Sequence, residues 1–396
     1  MKQIGLRAVF MRGGTSKAVM FRAADLPRDR EQWAPIFLGV IGSPDANGRQ
    51  LDGMGGGSSS LSKVCVIGAP TRSDADVDYT FAQVSVTGAA VDYSGNCGNM
   101  SSAVGPFAVD EGLVRAAGDA AVVRIHNTNT RKIIVSRFRM DGGLAAVDGD
   151  FVLPGVAGMG APVRLEFLEP GGAGTGRLLP TGNVVDQLEV AGVGAREASM
   201  LEVSMIDAAN PCVFVAAEAL GMTGIEMPDA LDANHELLNR LEAIRVAASL
   251  RMGIARTAAE ATSRPSIPKI AMVTGPCEAR TLAGDRVAAD AADLTARMIS
   301  IGQPHRAMPL TGAMCLAVAS RLPGSIAHRV ARAPRTSEEP VRIAQPSGLT
   351  VVGAAVRQSA DGWVADQATV YRTARRLMEG VVFVRASAFT AADKES

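Results

Sequence analysis

The sequence has 396 residues, which is more than one ordinary domain needs. Apolar residues make up 47% of it, enough to bury a sizeable core. Lysine and arginine total 40, as do aspartate and glutamate, so the zero net charge gives no electrostatic reason to expect nucleic acid or an anionic membrane as a partner. No apolar run reaches the length of a membrane span, and the first residues lack the apolar region of a signal peptide, so we expect a cytoplasmic protein.

The first half of the chain predicts a strand-rich fold. The runs LRAVFMRGG and TSKAVMF predict two strands of a hairpin that turns at a pair of glycines. A glycine- and serine-rich loop then leads directly into the buried strand KVCVIG, which begins at Lys63. The stretch SGNCGNMSSAVGPFA predicts a turn that opens a helix.

A glycine- and proline-rich stretch, EPGGAGTGRLLPTGN, breaks the chain near its middle and predicts a domain boundary. We place the boundary so that the two domains comprise residues 1–184 and 185–396. The second half repeats the pattern of the first, because HRAMPLTGAMCLAVA is again a small-residue turn that opens a helix. Two related α+β domains are the simplest interpretation of this repeat.

The cysteines and histidines predict neither a disulfide framework nor a metal centre. The five cysteines form no CxxC pair, and the four histidines show neither HExxH nor HxH spacing. Cys65 lies in an apolar strand and Cys315 inside an apolar helix, so both are expected in the core.

Cys97 is different, because it lies in a polar turn just before a predicted helix. The first turn of a helix leaves backbone N–H groups unpaired, and the helix dipole adds positive charge there, which favours a thiolate and binds carboxylates. Asn96 and Asn99 flank the thiol and can hydrogen-bond a ligand, while Gly95 and Gly98 allow close approach. A thiolate there can move a proton at carbon or attack an electrophile. The alternative is a small, buried packing residue, which is the commoner fate of a free cysteine.

Lys63 also has two interpretations. A lysine where a loop meets a strand is usually solvated, whereas a lysine in a glycine-lined cleft can act as a base. The preceding GGGSSS run is not a phosphate-binding loop, because no GK[ST] sequence ends it. Spacing alone leaves both interpretations of Lys63 open.

Several longer motifs together resemble one protein family over nearly the whole chain. They are FMRGGTSKAVMF, IGSPDANGRQLDGMGGGSSSLSKV, VDYSGNCGNMSSAVGPFAVDEGL, LLPTGN, IRVAASLRMG, PKIAMV and HRAMPLTGAMCLAVA. The sequence resembles the PrpF family. The resemblance implies an α+β fold of two similar diaminopimelate epimerase-like domains, each a curved β structure around a central helix, with the active site in the cleft between them. It also allows the last strand to cross back to the first domain.

The resemblance implies a cofactor-independent isomerase that shifts a double bond in a small unsaturated di- or tricarboxylate by a 1,3-allylic proton shift. The stretches IHNTNTRK and HRAMPLTGAMCLAVA resemble the tautomerase and methylitaconate-isomerase branches more than the methylaconitate branch. We therefore favour 4-oxalomesaconate tautomerase activity in aromatic-acid catabolism. The alternatives are isomerisation of 2-methylaconitate in the methylcitrate cycle, isomerisation of methylitaconate, racemisation, and a non-catalytic role beside a partner enzyme. A homodimer is left open.

By motif, Lys63 of LSKV and Cys97 of GNCGN match the family's active-site lysine and cysteine, 34 positions apart (97 − 63). Lys63 is the candidate for the shuttling base and acid, and Cys97 is either a second acid or base or an anchor that polarises the substrate. The substrate-binding candidates lie beside the two helix starts and the first hairpin: Arg12, Thr15, Ser16, Lys17, Asn96, Gly98, Asn99, His305, Arg306, Thr311 and Gly312.

Some of these candidates have ordinary alternatives. Arg12 and Lys17 can instead mark an exposed hairpin end, and His305 and Arg306 a solvated loop. Pro309 falls where the epimerase carries its second cysteine, and this departure favours an isomerase over an epimerase.

Overall fold

The computed structural model describes residues 2–192, 197–334, 336 and 339–386. The contacts divide the chain into unit 1, residues 1–165 and 371–396, and unit 2, residues 166–370. The glycine- and proline-rich stretch before the predicted boundary groups with unit 2, because Asp207 accepts hydrogen bonds from the backbone of Gly174 and Thr175. Residues 387–396 of the predicted second domain lie outside the described residues.

Strands dominate both units, and the helices are few. The strands are β1 (Gln3–Gly13), β2 (Ser16–Arg22), β3 (Lys63–Gly68), β4 (Val77–Val84), β5 (Val91–Asp92), β6 (Ala120–Asn127), β7 (Lys132–Asp141), β8 (Leu144–Ala145), β9 (Phe151–Val152), β10 (Met159–Gly160), β11 (Val163–Leu168), β12 (Asp186–Val190), β13 (Ser199–Asp207), β14 (Pro211–Ala216), β15 (Lys269–Thr274), β16 (Ala279–Arg280), β17 (Arg286–Val287), β18 (Leu294–Ser300), β19 (Gln303–Pro304), β20 (Val341–Gln345), β21 (Gly348–Ser359), β22 (Gly362–Arg372) and β23 (Ala374–Arg385). The helices are α1 (Trp33–Ile41), α2 (Gly98–Asp110), α3 (Pro228–Asp232), α4 (His235–Arg251), α5 (Ala258–Ser263), α6 (Leu310–Ser320) and α7 (Ile326–Val330).

Unit 1 is built on a mixed sheet. The predicted first hairpin is present as antiparallel β1 and β2; β2 runs parallel to β3, and β3 is antiparallel to β4. β4 runs parallel to β6, which forms a second hairpin with β7. The last strand, β23, pairs antiparallel with β1 along its whole length.

Helix α2 is the central helix of unit 1. Its side chains Met100, Ala103 and Val104 are fully buried, and a Cβ added at Gly105 would lie 2.5 Å from the hydroxyl of Ser136 in β7. Small residues therefore let the sheet approach this helix closely. The helix begins directly after Cys97, where the turn was predicted to open it.

Unit 2 repeats the strand order of unit 1. β13 and β14 are antiparallel, β14 is parallel to β15, β15 is antiparallel to β18, β18 is parallel to β20, and β20 is antiparallel to β21. The buried helix α6 comes between β18 and β20, as α2 comes between β4 and β6. The prediction of two similar α+β domains, each with a central helix, is therefore confirmed.

Candidate active site

The thiol of Cys97 lies at the start of α2. Cys97 is the N-cap residue, its carbonyl accepts a hydrogen bond from the Ser101 N–H at 3.0 Å, and its side chain makes no capping bond. The residue is half-buried, which does not fit a packing cysteine. The predicted position at a helix N-terminus is confirmed, and the thiol is left available for a ligand at that end of the helix.

Lys63 is held in a polar but uncharged setting. It is only 7% exposed, and its Nζ donates to Gln83 Oε1 at 2.5 Å and lies 5.1 Å from the ring centre of Phe81. Gln83 faces Lys63 across the β3–β4 ladder, and its amide nitrogen donates to the carbonyls of Ser59 and Ser62. No carboxylate of the described residues pairs with this ammonium, and its burial does not fit a solvated lysine.

Cys65 shows that Lys63 and Cys97 belong to one neighbourhood. Lys63 and Cys65 are two residues apart in β3, so their side chains share a face. Burial raises the pKa of the Cys65 thiol above its ordinary range; the nearby Cys97 thiol adds to the rise, and the Lys63 ammonium opposes it. Cys65 Sγ also lies 3.8 Å from the hydroxyl of Tyr79. The two predicted catalytic groups therefore lie within electrostatic reach of the same buried thiol.

Two asparagines tie the start of α2 to the surrounding loops. Asn96 Oδ1 accepts a hydrogen bond from Asn127 Nδ2 at 3.2 Å, and Asn99 Nδ2 donates to Thr15 Oγ1 at 3.1 Å. Gly98 is buried as the first residue of the helix. The predicted residues Thr15, Asn96, Gly98 and Asn99 are thus brought together around the Cys97 turn.

Arg12 lies at the same turn and is not an exposed hairpin end. Its Nη1 donates to the carbonyl of Gly14 at 3.0 Å and to both the carbonyl and the hydroxyl of Thr373 at 2.9 Å. Burial lowers the pKa of Arg12, and the nearby Arg375 lowers it further. Among the described residues no carboxylate offsets this cation.

Ser16 and Lys17 begin β2, on the other side of that turn. Ser16 pairs with Gly13 in the ladder and is buried. Lys17 is half-buried, and its Nζ lies 5.5 Å from the ring centre of Phe10. Both residues therefore lie next to the turn, and their role in binding stays a prediction.

The candidates of unit 2 are distributed differently. Thr311 and Gly312 are buried in the first turn of α6, where a Cβ at Gly312 would lie 2.3 Å from the sulfur of Met298. His305 is half-buried, whereas Arg306 is exposed and forms an ion pair with an aspartate on α3 at 2.5 Å. The position of Arg306 fits the solvated alternative, so we do not carry it into the proposed site.

The start of α6 carries no thiol. Pro309 is its N-cap residue, and Cys315 is fully buried within the helix, with Sγ 3.3 Å from the carbonyl of Ile206. Burial raises the pKa of the Cys315 thiol far above its ordinary range, with Cys212 adding to the rise. A reactive second thiol at this helix start is therefore absent from the described residues.

Sequence reasoning missed two residues that position the site. Nothing in the sequence indicates a role for Gln83, because a polar residue within a strand is usually a solvent-facing position. Asn127 gave a partial signal, because it begins the polar tip of the β6–β7 hairpin, yet the tip itself did not indicate contact with Asn96.

Three further features bear on the kind of site. A cavity of about 600 Å³ lies elsewhere in unit 1, lined in part by Leu38, Asp45, Leu51 and Arg385, and none of the predicted site residues lines it. Within residues 2–192, 197–334, 336 and 339–386, no three histidine, cysteine or acidic side chains converge as metal ligands. No helix in those ranges has the length and apolar character that crossing a membrane requires.

Relatives with assigned activities match over nearly their whole length. The chain is 43% identical to a 3-methylitaconate isomerase of Eubacterium barkeri (96% of this chain, 98% of the relative) and 42% identical to a 2-methyl-aconitate isomerase of Cupriavidus necator (98% and 99%). It is 38% identical to a (4E)-oxalomesaconate Delta-isomerase of a Novosphingobium species (95% and 96%).

Solved structures and a family model agree with these relatives. The fold matches a crystal structure of methylitaconate-delta-isomerase with a TM-score of 0.82 and 41% identity over 98% of both chains. A hydroxyproline epimerase of Agrobacterium vitis, 11% identical over 97% of this chain and 94% of its own, matches with a TM-score of 0.55 and shows the epimerase-like fold alone. The model of the PrpF protein family matches residues 3–385. The chain therefore belongs to the PrpF family, and it is an enzyme of the isomerase class.

Proposed function

We propose that the protein moves a carbon–carbon double bond within a small unsaturated di- or tricarboxylate by a 1,3-allylic proton shift. The observation that carries the proposal is that Lys63 begins β3, Cys97 is the N-cap residue of α2, α2 contacts β3, and both groups act electrostatically on the buried Cys65 thiol of β3. The reaction is balanced without any other reactant. One proton leaves the allylic carbon, the double bond migrates, and one proton is added two carbons away.

Lys63 is suited to moving that proton. A group that both removes and returns a proton must not be locked in a salt bridge, and Lys63 contacts a neutral amide. Gln83 is itself fixed by backbone carbonyls, and its Oε1 accepts from Lys63 Nζ whether that nitrogen is an amine or an ammonium, so one held nitrogen can take the proton as the amine and return it as the ammonium. Lys63 therefore serves as the shuttling base and acid.

Cys97 is suited to the other half of the chemistry. Removal of the allylic proton produces a dienolate whose charge spreads into an adjacent carboxylate. The free N–H groups at the start of α2 and the helix dipole stabilise such a charge where it develops. Cys97 at that end either donates the returning proton or polarises the substrate, and the variants Cys97→Ala and Cys97→Ser separate the two roles.

The substrate class follows from the cations and the relatives. Arg12 and the α2 N-terminus offer two places for carboxylates, which suits a molecule with at least two of them. We place methylitaconate and 2-methylaconitate first, because the relatives named for them are more similar to this chain than the one named for (4E)-oxalomesaconate. The 4-oxalomesaconate activity expected from the β6–β7 hairpin is kept as the third candidate.

The test is proton NMR of the purified protein with methylitaconate, 2-methylaconitate, 4-oxalomesaconate and trans-aconitate, each alone. We expect the vinyl or methyl signals of one compound to be replaced by those of its double-bond isomer. Folded protein that converts none of the four would contradict the proposal and favour the non-catalytic alternative.

A further inference from the structure

Arg372, at the end of β22, is a buried cation that no sequence motif marks. It is 7% exposed, its Nε donates to Asn99 Oδ1 at 3.2 Å, and its Nη1 donates to the carbonyl of Tyr371 at 2.8 Å. Asn99 is the second residue of α2, so this guanidinium is held two residues from Cys97, at the same helix start.

Two other buried arginines, Arg245 and Arg297, show how the guanidinium of a structural arginine is hydrogen-bonded in this protein. Arg245 binds both carboxylate oxygens of Glu242 and also three backbone carbonyls. Arg297 uses all three of its guanidinium nitrogens on the backbone carbonyls of Glu226, Ala296 and Ile225. Both side chains have their hydrogen-bonding capacity taken up by the protein.

Arg372 does not follow that pattern. Among the described residues its side chain donates from Nε and Nη1 alone, so Nη2 has no hydrogen-bond partner there, and no carboxylate of those residues pairs with it. Burial lowers the pKa of Arg372 to about 10, with no charged group contributing. A desolvated guanidinium without a counter-ion is costly to fold around, and such a group is expected to be balanced by an anion.

The neighbours of Arg372 point to the kind of anion. Arg12, which also lacks a carboxylate partner among the described residues, is tied to Thr373, the next residue along the chain. Asn99 binds Arg372 through its oxygen and Thr15 through its nitrogen, so one amide joins the guanidinium to a predicted substrate-binding residue. Two cations beside a helix N-terminus fit a ligand that carries more than one carboxylate.

We propose that Arg372 binds a carboxylate of the substrate through its free Nη2, and that this contact selects for substrates with several carboxylates. The proposal rests on the allylic isomerase function proposed above, because it assigns the substrate's charge to this residue. The carboxylate is present in both the bound substrate and the transition state. Its loss therefore affects binding more than the chemical step.

The test combines variants with two readouts. Arg372→Met is expected to raise KM for the converted substrate at least about tenfold while kcat changes by less than about threefold. Calorimetry with tricarballylate, a saturated tricarboxylate, is expected to show a similar loss of affinity, and Arg372→Lys, which keeps the charge but loses the planar fork, an intermediate one. Arg385→Met, at the exposed end of β23 where Arg385 pairs with Asp52, is the matched control and is expected to behave as the wild type.

The outcomes separate this proposal from the proposed function. An active wild type whose folded Arg372→Met and Arg372→Lys variants keep KM and tricarballylate affinity would overturn the role of Arg372 and leave the isomerase proposal intact. If Arg372→Met does not fold, the Arg372→Lys result decides. A wild type that neither converts the four compounds nor binds tricarballylate would overturn both.

Discussion

The two units share one topology but differ at the ends of their central helices. Each unit has six strands whose successive pairings are antiparallel, parallel, antiparallel, parallel and antiparallel. A lysine begins the equivalent strand in each, Lys63 in β3 and Lys269 in β15. The N-cap residue of α2 is Cys97, whereas the N-cap residue of α6 is Pro309.

This difference separates what the fold requires from what the chemistry requires. A lysine at the strand start and a buried helix of small residues occur in both units, so neither feature by itself marks a catalytic group. Unit 1 contains the thiol of Cys97 at the helix start and the fixed amide of Gln83 beside the lysine. It also contains Arg12 and Arg372, which have no carboxylate partner among the described residues. Under the proposed function the proton is moved by the groups of unit 1, and matched variants in the two units test this assignment.

The largest effect is expected for Lys63. Lys63→Met removes the proton-transferring group but keeps an apolar stem of similar length, so kcat should fall by about 10²–10⁴ with little change in the melting temperature. The matched variant is Lys269→Met in unit 2, whose Nζ donates to the Ser266 carbonyl at 3.1 Å. The factor by which Lys269→Met lowers kcat should be at least about tenfold smaller than the factor for Lys63→Met. Equal losses in steady-state kinetics would break the distinction between the two units.

Cys97 is expected to show the next largest effect. Cys97→Ala should lower kcat about 10²-fold if the thiol returns the proton, whereas Cys97→Ser should recover part of the rate if it mainly polarises the substrate. The control thiol in unit 2 is Cys315, inside α6: Cys315→Ala removes a buried sulfur and should cost about 1 kcal/mol of stability while activity stays within about threefold. An active Cys97→Ala enzyme would remove the thiol from the mechanism.

The turn between β1 and β2 also differs from its equivalent in unit 2. Gly14 has a φ of +53°, and a Cβ there would lie 2.3 Å from Asn99 Oδ1, whereas the equivalent turn of unit 2 accepts Ala209 at a φ of +62°. A positive φ alone therefore does not require glycine at this turn. Glycine is required at position 14 because the Asn99 side chain lies too close for a Cβ. Gly14→Ala should raise KM about tenfold, because it displaces Asn99 from Thr15.

Gly112 provides the control for that variant. It lies at the other end of α2 with a φ of +68° and open space around its Cα, so Gly112→Ala adds the same backbone strain without the collision. It should lower stability by about 1 kcal/mol and leave KM unchanged. A similar KM in both variants would mean that Asn99 does not position the substrate.

The smallest effect concerns alkaline pH, where both units should behave alike. Cys65 and Cys315 have raised pKa values in the folded state, so they stay protonated there while the unfolded thiols ionise. The stability they contribute is present at pH 7 and is lost as pH rises past 9, by roughly 1 kcal/mol per thiol at pH 9.5. Cys65→Ala should therefore show a smaller fall in melting temperature between pH 7.5 and 9.5 than the wild type, and an equal fall would contradict this origin.

Much of the fold could be predicted from local sequence. Alternation and glycine pairs predicted the β1–β2 hairpin, the loop before β3 predicted a strand beginning at Lys63, and small residues after Cys97 predicted α2. These features depend on neighbours in the chain, which is where sequence patterns are informative.

The support of the site could not be predicted in the same way. Gln83 meets Lys63 through the register of β4 against β3, and Arg372 meets Asn99 across 273 residues of chain. Both contacts depend on long-range strand pairing, for which one sequence contains no periodic signal. Charge gave no help with Arg372 either, because its lack of a carboxylate partner appears only after the chain has folded.

Proton and deuterium NMR of the reaction in D₂O tests directly whether the groups of unit 1 move the proton. With the substrate identified from the panel, we expect double-bond migration with deuterium appearing at the newly protonated carbon, and neither migration nor exchange with Lys63→Met. Exchange at carbon without migration of the double bond would contradict the account and favour a racemase. Full activity in the Lys63→Met enzyme would equally show that unit 1 does not move the proton through this lysine.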